Sequence, residues 1–170
     1  MLIRKLSLVG IIFLALFQNK YAHCADSKDI NFLSDTSFNG TNHEGVDFDV
    51  KYKSTSTPIG ATYSGVFLGT RRIEQDEYRF EGGLVSSFVT NINEVMISYF
   101  STTLGILAIK NDPLFFAGFK SSLATKIVNN NLLGIGIESR IFSSKQAKYF
   151  TDSTNSIFFV FPHIEIVSYF

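Results

Sequence analysis

The closing stretch of the chain, Ser156 to Phe170, constrains the fold more than any other segment. Counting back in twos from Phe170 gives Ser168, Ile166, Ile164, Pro162, Val160 and Phe158, a set that is apolar apart from its serine. The interleaved set, Tyr169, Val167, Glu165, His163, Phe161, Phe159 and Ile157, carries a carboxylate and an imidazole. A period of two places these sets on opposite faces of a β-strand. One face suits an apolar medium, and the other keeps its ionisable groups away from it.

The same alternation recurs upstream. Ser27 to Thr36, with Ile30, Phe32 and Phe38 nearby, is the weakest candidate strand. Val46 to Lys53 is clear, with Val46, Phe48, Val50 and Tyr52 set against Asp47, Asp49, Lys51 and Lys53. After a turn at Ser54–Pro58 come a strand over Gly60–Thr70 and a charged loop over Arg71–Glu77. Tyr78–Val89 alternates again, with Arg79 and Glu81 on one parity. Val95–Ile109 is apolar on both parities; its β-branched and aromatic content favours a long strand over the rival short helix. Phe115 to Ile127 places its aromatic residues opposite Lys120 and Lys126. Leu133 to Ile141 alternates with Gly134, Gly136, Glu138 and Arg140. Ser143–Asn155 is the longest polar connection, and the closing strand follows it. The short links between strands predict antiparallel hairpins. The expectation is an all-β, antiparallel up-and-down barrel of about eight strands.

Residues 1–24 have the parts of a cleaved signal peptide. These are a basic start at Arg4 and Lys5, an apolar run from Leu6 to Phe17, and Ala22 and Cys24 at the minus-three and minus-one positions. The apolar run is shorter than the roughly 20 residues that span a bilayer as a helix. Cys24 as a lipidation site is a second reading, but His23 fits such a site badly. Residues 25–170 then form one barrel domain. Taking away Arg4, Lys5 and Lys20 with the signal leaves 12 basic against 15 acidic side chains, a net charge of −3. No basic patch stands out, so nucleic acid is not an expected partner.

A final strand ending on Phe170, behind an export signal and about eight alternating strands, resembles the small eight-stranded outer-membrane β-barrels of bacteria. Ser168 stands where such endings usually carry an apolar or aromatic residue. The resemblance implies the bacterial outer membrane as location and its lipids as surroundings. It also implies that Phe170 is the signal read by the barrel-assembly machinery. With Phe170 outward, Arg79, Glu81, Lys120, Glu138, Arg140, His163 and Glu165 share the interior, where they are expected to pair as a lumenal charge network. Eight strands close around a space that side chains can fill, which predicts a plugged structural barrel. Surface contacts are then left to the loops 71–77 and 143–155.

The residues offer little catalytic chemistry. His163 and Glu165 sit two apart on one face, but no serine can be tied to them from the sequence, and Ser168 lies on the other parity. Two distant histidines make a poor metal set once Cys24 is removed, and no cofactor-binding motif is evident. The expectation is a non-enzymatic protein. One alternative is a soluble periplasmic barrel with an apolar ligand in its lumen, and a second is a lipid-modifying hydrolase.

Overall fold

The computed structural model describes residues 30–40, 44–74, 77–92, 95–108, 113–128, 130–142 and 158–170. Eight strands occupy most of them: β1 (Phe32–Asn39), β2 (Gly45–Thr57), β3 (Gly60–Glu74), β4 (Glu77–Asn91), β5 (Met96–Leu107), β6 (Leu114–Val128), β7 (Asn131–Phe142) and β8 (Phe158–Tyr169). Each strand pairs antiparallel with the next, and β8 returns to β1, so the sheet closes as an up-and-down barrel. Closure gives partners to backbone groups that an open sheet would leave bare at its edges. At the seam, Phe170 exchanges two 3.0 Å backbone hydrogen bonds with Phe32.

The register sets the barrel's shape. A row starting at Ser56 passes through Ala61, Val89, Tyr99, Ser122, Gly136, His163 and Asn39, and returns to β2 at Gly45. Those two β2 positions are 11 residues apart, and the bulge between Lys53 and Thr55 takes up one of them, so the shear is 10. Given ordinary strand spacing and rise, eight strands with this shear tilt by roughly 40° from the barrel axis. The strands other than β1 hold 12 to 15 residues. At that tilt they rise roughly 30–38 Å, comparable to the ~30 Å hydrocarbon core of a bilayer.

Several sequence-based boundaries are corrected. The first strand starts at Phe32 and runs to Asn39, so it lies later than Ser27–Thr36; residues 27–29 are outside the described residues. The turn expected over Ser54–Pro58 shrinks to Pro58–Ile59, because β2 continues to Thr57. The charged loop expected over Arg71–Glu77 is mostly strand: β3 continues to Glu74 and β4 starts at Glu77. Arg71 is completely buried inside the barrel. The loop 143–155 lies outside the described residues.

Inside and outside are inverted relative to a water-soluble barrel. The outward parity exposes Phe48, Val66, Leu68, Phe80, Leu104, Phe119, Ile135 and Ile164, with Phe80 76 % and Ile135 67 % exposed. Among the described side chains, Arg72 is the only charged one at an outward strand position, and it sits at the rim facing Glu44 at 3.8 Å. The inward parity buries Asp35, Lys51, Arg71, Glu81, Glu138, Arg140 and Glu165. An apolar cluster that includes Leu33, Tyr63, Val89, Ile97, Leu132 and Val167 closes the terminus-side end of the barrel, where β1 begins and β8 ends. Towards the other end, Phe67, Val85, Leu107, Leu114, Phe116 and Phe142 form a second cluster. The charged side chains lie beyond the first cluster and beside the second, with Phe67 and Val85 lining the same small cavity as Asp47, Lys120 and Arg140.

Candidate functional site

Parity alone accounts for the inward charges: each sits an even number of residues from another inward side chain on its strand, and the closed sheet aims them all at the axis. They form two groups. In the group nearer the end where β1 begins and β8 ends, Lys120 Nζ donates to Asp35 Oδ2 at 2.6 Å and lies 2.7 Å from Glu165 Oε2. The Tyr99 hydroxyl donates to the same Asp35 oxygen at 2.8 Å, and Lys51 Nζ donates to the Tyr99 hydroxyl. Lys51 also lies 2.8 Å from Asp49 Oδ1. Both lysines stand over the Tyr99 ring, at 4.5 and 5.5 Å from its centroid, so one aromatic side chain serves as hydrogen-bond relay and cation–π face.

The second group is built on two arginines. Arg140 reaches three carboxylates: Glu138 Oε1 at 2.6 Å through Nε, Glu81 Oε2 at 2.5 Å through Nη1 and Asp47 Oδ2 at 3.2 Å through Nη2. Arg71 binds the same carboxylates from the other side, with Nη2 at 2.9 Å from Asp47 Oδ2 and 3.0 Å from Glu81 Oε1, and 3.6 Å from Glu138 Oε2. Asn39 Nδ2 donates to Glu138 Oε2 at 3.3 Å and ties β1 into the group. Phe161 and Phe116 back the two guanidinium planes, with centroids 5.1 and 4.3 Å away. The planar five-donor fork of arginine suits such shared carboxylates better than a lysine ammonium does.

Glycines make room for this packing. Asp47 pairs in register with Gly69, and a Cβ there would stand 2.1 Å from Asp47 Oδ1. Gly134 pairs with Glu165, and a Cβ there would lie 2.8 Å from Glu165 Cγ and Oε1.

Of the residues expected in the lumen, Glu81, Glu138 and Arg140 meet in one group, and Lys120, Glu165 and His163 in the other. Arg79 faces Arg71 across the register at the rim away from Phe170 and is half-buried. Asp35, Asp47, Asp49, Lys51 and Arg71 complete the two groups and are not among the residues that the sequence places in the lumen. The parity of β2 already carried the signal, since Asp47, Asp49 and Lys51 all stand opposite Phe48 and Val50.

His163 and Glu165 do share a face, with Nε2 3.5 Å from Oε2, and the structure adds Ser122, whose Oγ lies 3.2 Å from the same His163 Nε2. A hydrolytic relay needs hydroxyl and carboxylate on different ring nitrogens. Here both approach one nitrogen, and all three side chains are buried. Among the described residues, no group of three or more His, Cys, Asp or Glu side chains is arranged to hold a metal ion. A cavity of about 20 Å³, lined by residues of both charged groups such as Asp49, Lys120, Glu138 and Arg140, lies between them. It has the volume of about one water molecule.

Fold and interior together define a closed eight-stranded antiparallel barrel with ion pairs inside it and apolar side chains on its outer wall. Comparison with known proteins finds no matching family model, no matching curated protein and no matching solved structure.

Proposed function

We propose that the chain is a non-enzymatic outer-membrane barrel whose lumen is plugged by paired charges, and that it works as a structural or surface-interaction protein. The observation that carries this reading is the inverted polarity: ion pairs inside and large apolar side chains outside. In water this arrangement would expose a continuous apolar wall far larger than the patches soluble monomers tolerate. In a bilayer the same wall is solvated by lipid tails, and barrel closure satisfies every strand's backbone. Two further features agree. Exposed aromatic residues stand near both ends, with Tyr78, Phe80 and Phe115 at one and Phe32, Tyr52 and Phe170 at the other, as in interfacial girdles. The strands are joined at the terminus-side end over 58–59, 92–95 and 129–130, and at the opposite end over 40–44, 75–76, 108–113 and 143–157. Apart from the link over 75–76, the connections at that opposite end are longer than those at the terminus-side end, which follows the pattern of membrane barrels. Contact with an outside partner falls to those longer connections, and Phe170 is assigned as the residue read by the assembly machinery.

The alternative of an apolar ligand held in the lumen requires an apolar cavity there. The interior carries two charged groups and a cavity of about 20 Å³ between them, too small for such a ligand.

Fractionation of expressing cells tests the proposal. The protein is expected in the detergent-extracted outer membrane, to migrate differently on gels with and without boiling, and to be cut by external protease only at the end opposite Phe170. Recovery by osmotic shock in soluble form would overturn it.

A further inference from the structure

The seam between β1 and β8 is paired along only part of β8. β1 pairs with β8 from Leu33 opposite Tyr169 to Asn39 opposite His163, whereas β8 already begins at Phe158. Residues 158–162 are held on their other side by β7, with Val160 opposite Ser139 and Pro162 opposite Ile137. Alternate residues of a strand turn their N–H and C=O groups to opposite neighbours. Phe170 bonds to Phe32 on the β1 side, and Tyr169 donates to the Asn130 carbonyl on the β7 side. By the same parity, Val160 and Pro162 turn their backbone groups toward the line of β1, past the point where β1 stops. Among the described residues, none pairs with that edge. A proline is tolerated there because no ladder bond is asked of its nitrogen. A groove of about 310 Å³ lies at the foot of the gap, lined by Phe38, Asn39, Gly40, Pro162, His163 and Ile164. A Cβ built on Gly40 would meet no heavy atom within 4 Å, so the gap is open beside it.

We propose that this edge of β8 is where an extended segment of another polypeptide adds a strand, an inference that rests on the membrane reading above and deepens its surface-contact role. In hydrocarbon, bare peptide groups find no water, and each costs free energy until another backbone meets it. A lipid tail can fill an apolar groove, but it offers nothing to the Val160 N–H or to the Val160 and Pro162 carbonyls. An extended backbone offers donors and acceptors in the required alternation, and strand addition of this kind draws its affinity from main-chain bonds. A second barrel has the wrong shape for the gap. β2 begins at Gly45, opposite Asn39, while β3 and β4 reach Glu74 and Glu77, so the gap is a notch walled by strands that run further. A single chain enters such a notch and a closed sheet does not. Val160 points outward and is 52 % exposed, so the incoming strand carries apolar side chains at the positions that face the same way. Pro162 withholds one donor, which blunts the edge against indiscriminate pairing.

The probe is a capped peptide of alternating Val and Thr with a maleimide at one end, added to detergent-folded protein in a Cys24→Ser background. Gly40→Cys, beside the open space, is expected to react roughly tenfold faster with this peptide than with the free maleimide, as a few main-chain bonds would give. Ile135→Cys, on the β7 wall, is expected to show no such enhancement. The same peptide N-methylated at every residue has no main-chain donors and is expected to lose the enhancement. Pro162→Val restores an N–H on the edge and is expected to raise it severalfold. Gel migration with and without boiling checks that each variant forms the barrel. Equal enhancement at Ile135→Cys, none at Gly40→Cys, or enhancement that survives N-methylation would each overturn strand addition, the last by leaving only an apolar groove. A peptide-free dimer in native mass spectrometry that labelling of Gly40→Cys abolishes would assign the edge to a second copy and overturn it as well. All of these outcomes leave the membrane reading standing, whereas recovery in soluble form on fractionation would overturn both.

Discussion

At the scale of single residues, Arg140 carries the largest local burden, because three carboxylates converge on one guanidinium inside the barrel. Arg140→Ala leaves Asp47, Glu81 and Glu138 to share Arg71. Losing one member of a buried ionic group costs about 3–5 kcal/mol, and urea unfolding in lipid vesicles is expected to show a loss of that order. Arg72→Ala removes a half-buried rim residue whose carboxylate neighbour is exposed and 3.8 Å away, so less than about 1 kcal/mol is expected. Similar losses for the two variants would mean that the interior group does not support the fold. Gly69→Ala attacks the same group through its space, since the added Cβ falls where Asp47 Oδ1 now lies. Parity made part of this cluster legible in advance. Arg71 was not legible, because a run such as Arg71-Arg72-Ile73-Glu74 looks like a solvated loop when charge is taken as a sign of exposure. In a barrel with an ionised interior that sign reverses, and only the three-dimensional closure reveals it.

At the scale of elements, the strands were legible wherever large apolar side chains alternate with polar ones, as in β2, β4, β7 and β8. The ends were less so. The end of β2 runs Ser-Thr-Ser-Thr, which has no contrast between faces, and the bulge between Lys53 and Thr55 shifts the register there. β1 shows little contrast because its outward positions include Ser34 and Thr36 while its inward ones include Asp35 and Ser37. It is recognisable chiefly through its partners, β2 and β8. The seam with β8 separates two roles for Phe170. Its backbone closes the barrel against Phe32, whereas its side chain is 70 % exposed and outward. Phe170→Ala keeps the backbone bonds, so refolding of purified protein into detergent is expected to match the parent chain. If the side chain is an assembly signal, the same variant is expected to accumulate outside the outer membrane in cells. Normal insertion in cells would remove Phe170 from that role, and a refolding defect in vitro would make its contribution structural.

At the scale of the whole molecule, the proposed plug would consist of two barriers of different chemistry in series. The charged groups lie in the middle, with their side chains paired to one another. The apolar layer of Tyr63, Val89, Ile97, Leu132 and Val167 closes the terminus-side end, with the Tyr63 hydroxyl satisfied by the Ile30 carbonyl at 3.1 Å. An ion would have to displace paired charges and then cross hydrocarbon, and each step alone is costly. Series barriers predict a distinctive pattern in planar-bilayer recordings. The parent chain is expected to show no steady current. Glu138→Gln/Arg140→Gln, which removes one charge of each sign, is expected to stay silent because the apolar layer remains. Val89→Ser/Leu132→Ser/Val167→Ser, which wets that layer, is expected to stay silent because the paired charges remain. Only the combined variant is expected to conduct. Steady conductance of the parent chain, or opening by either set alone, would show that one barrier carries the seal and that the other serves only to pack the barrel.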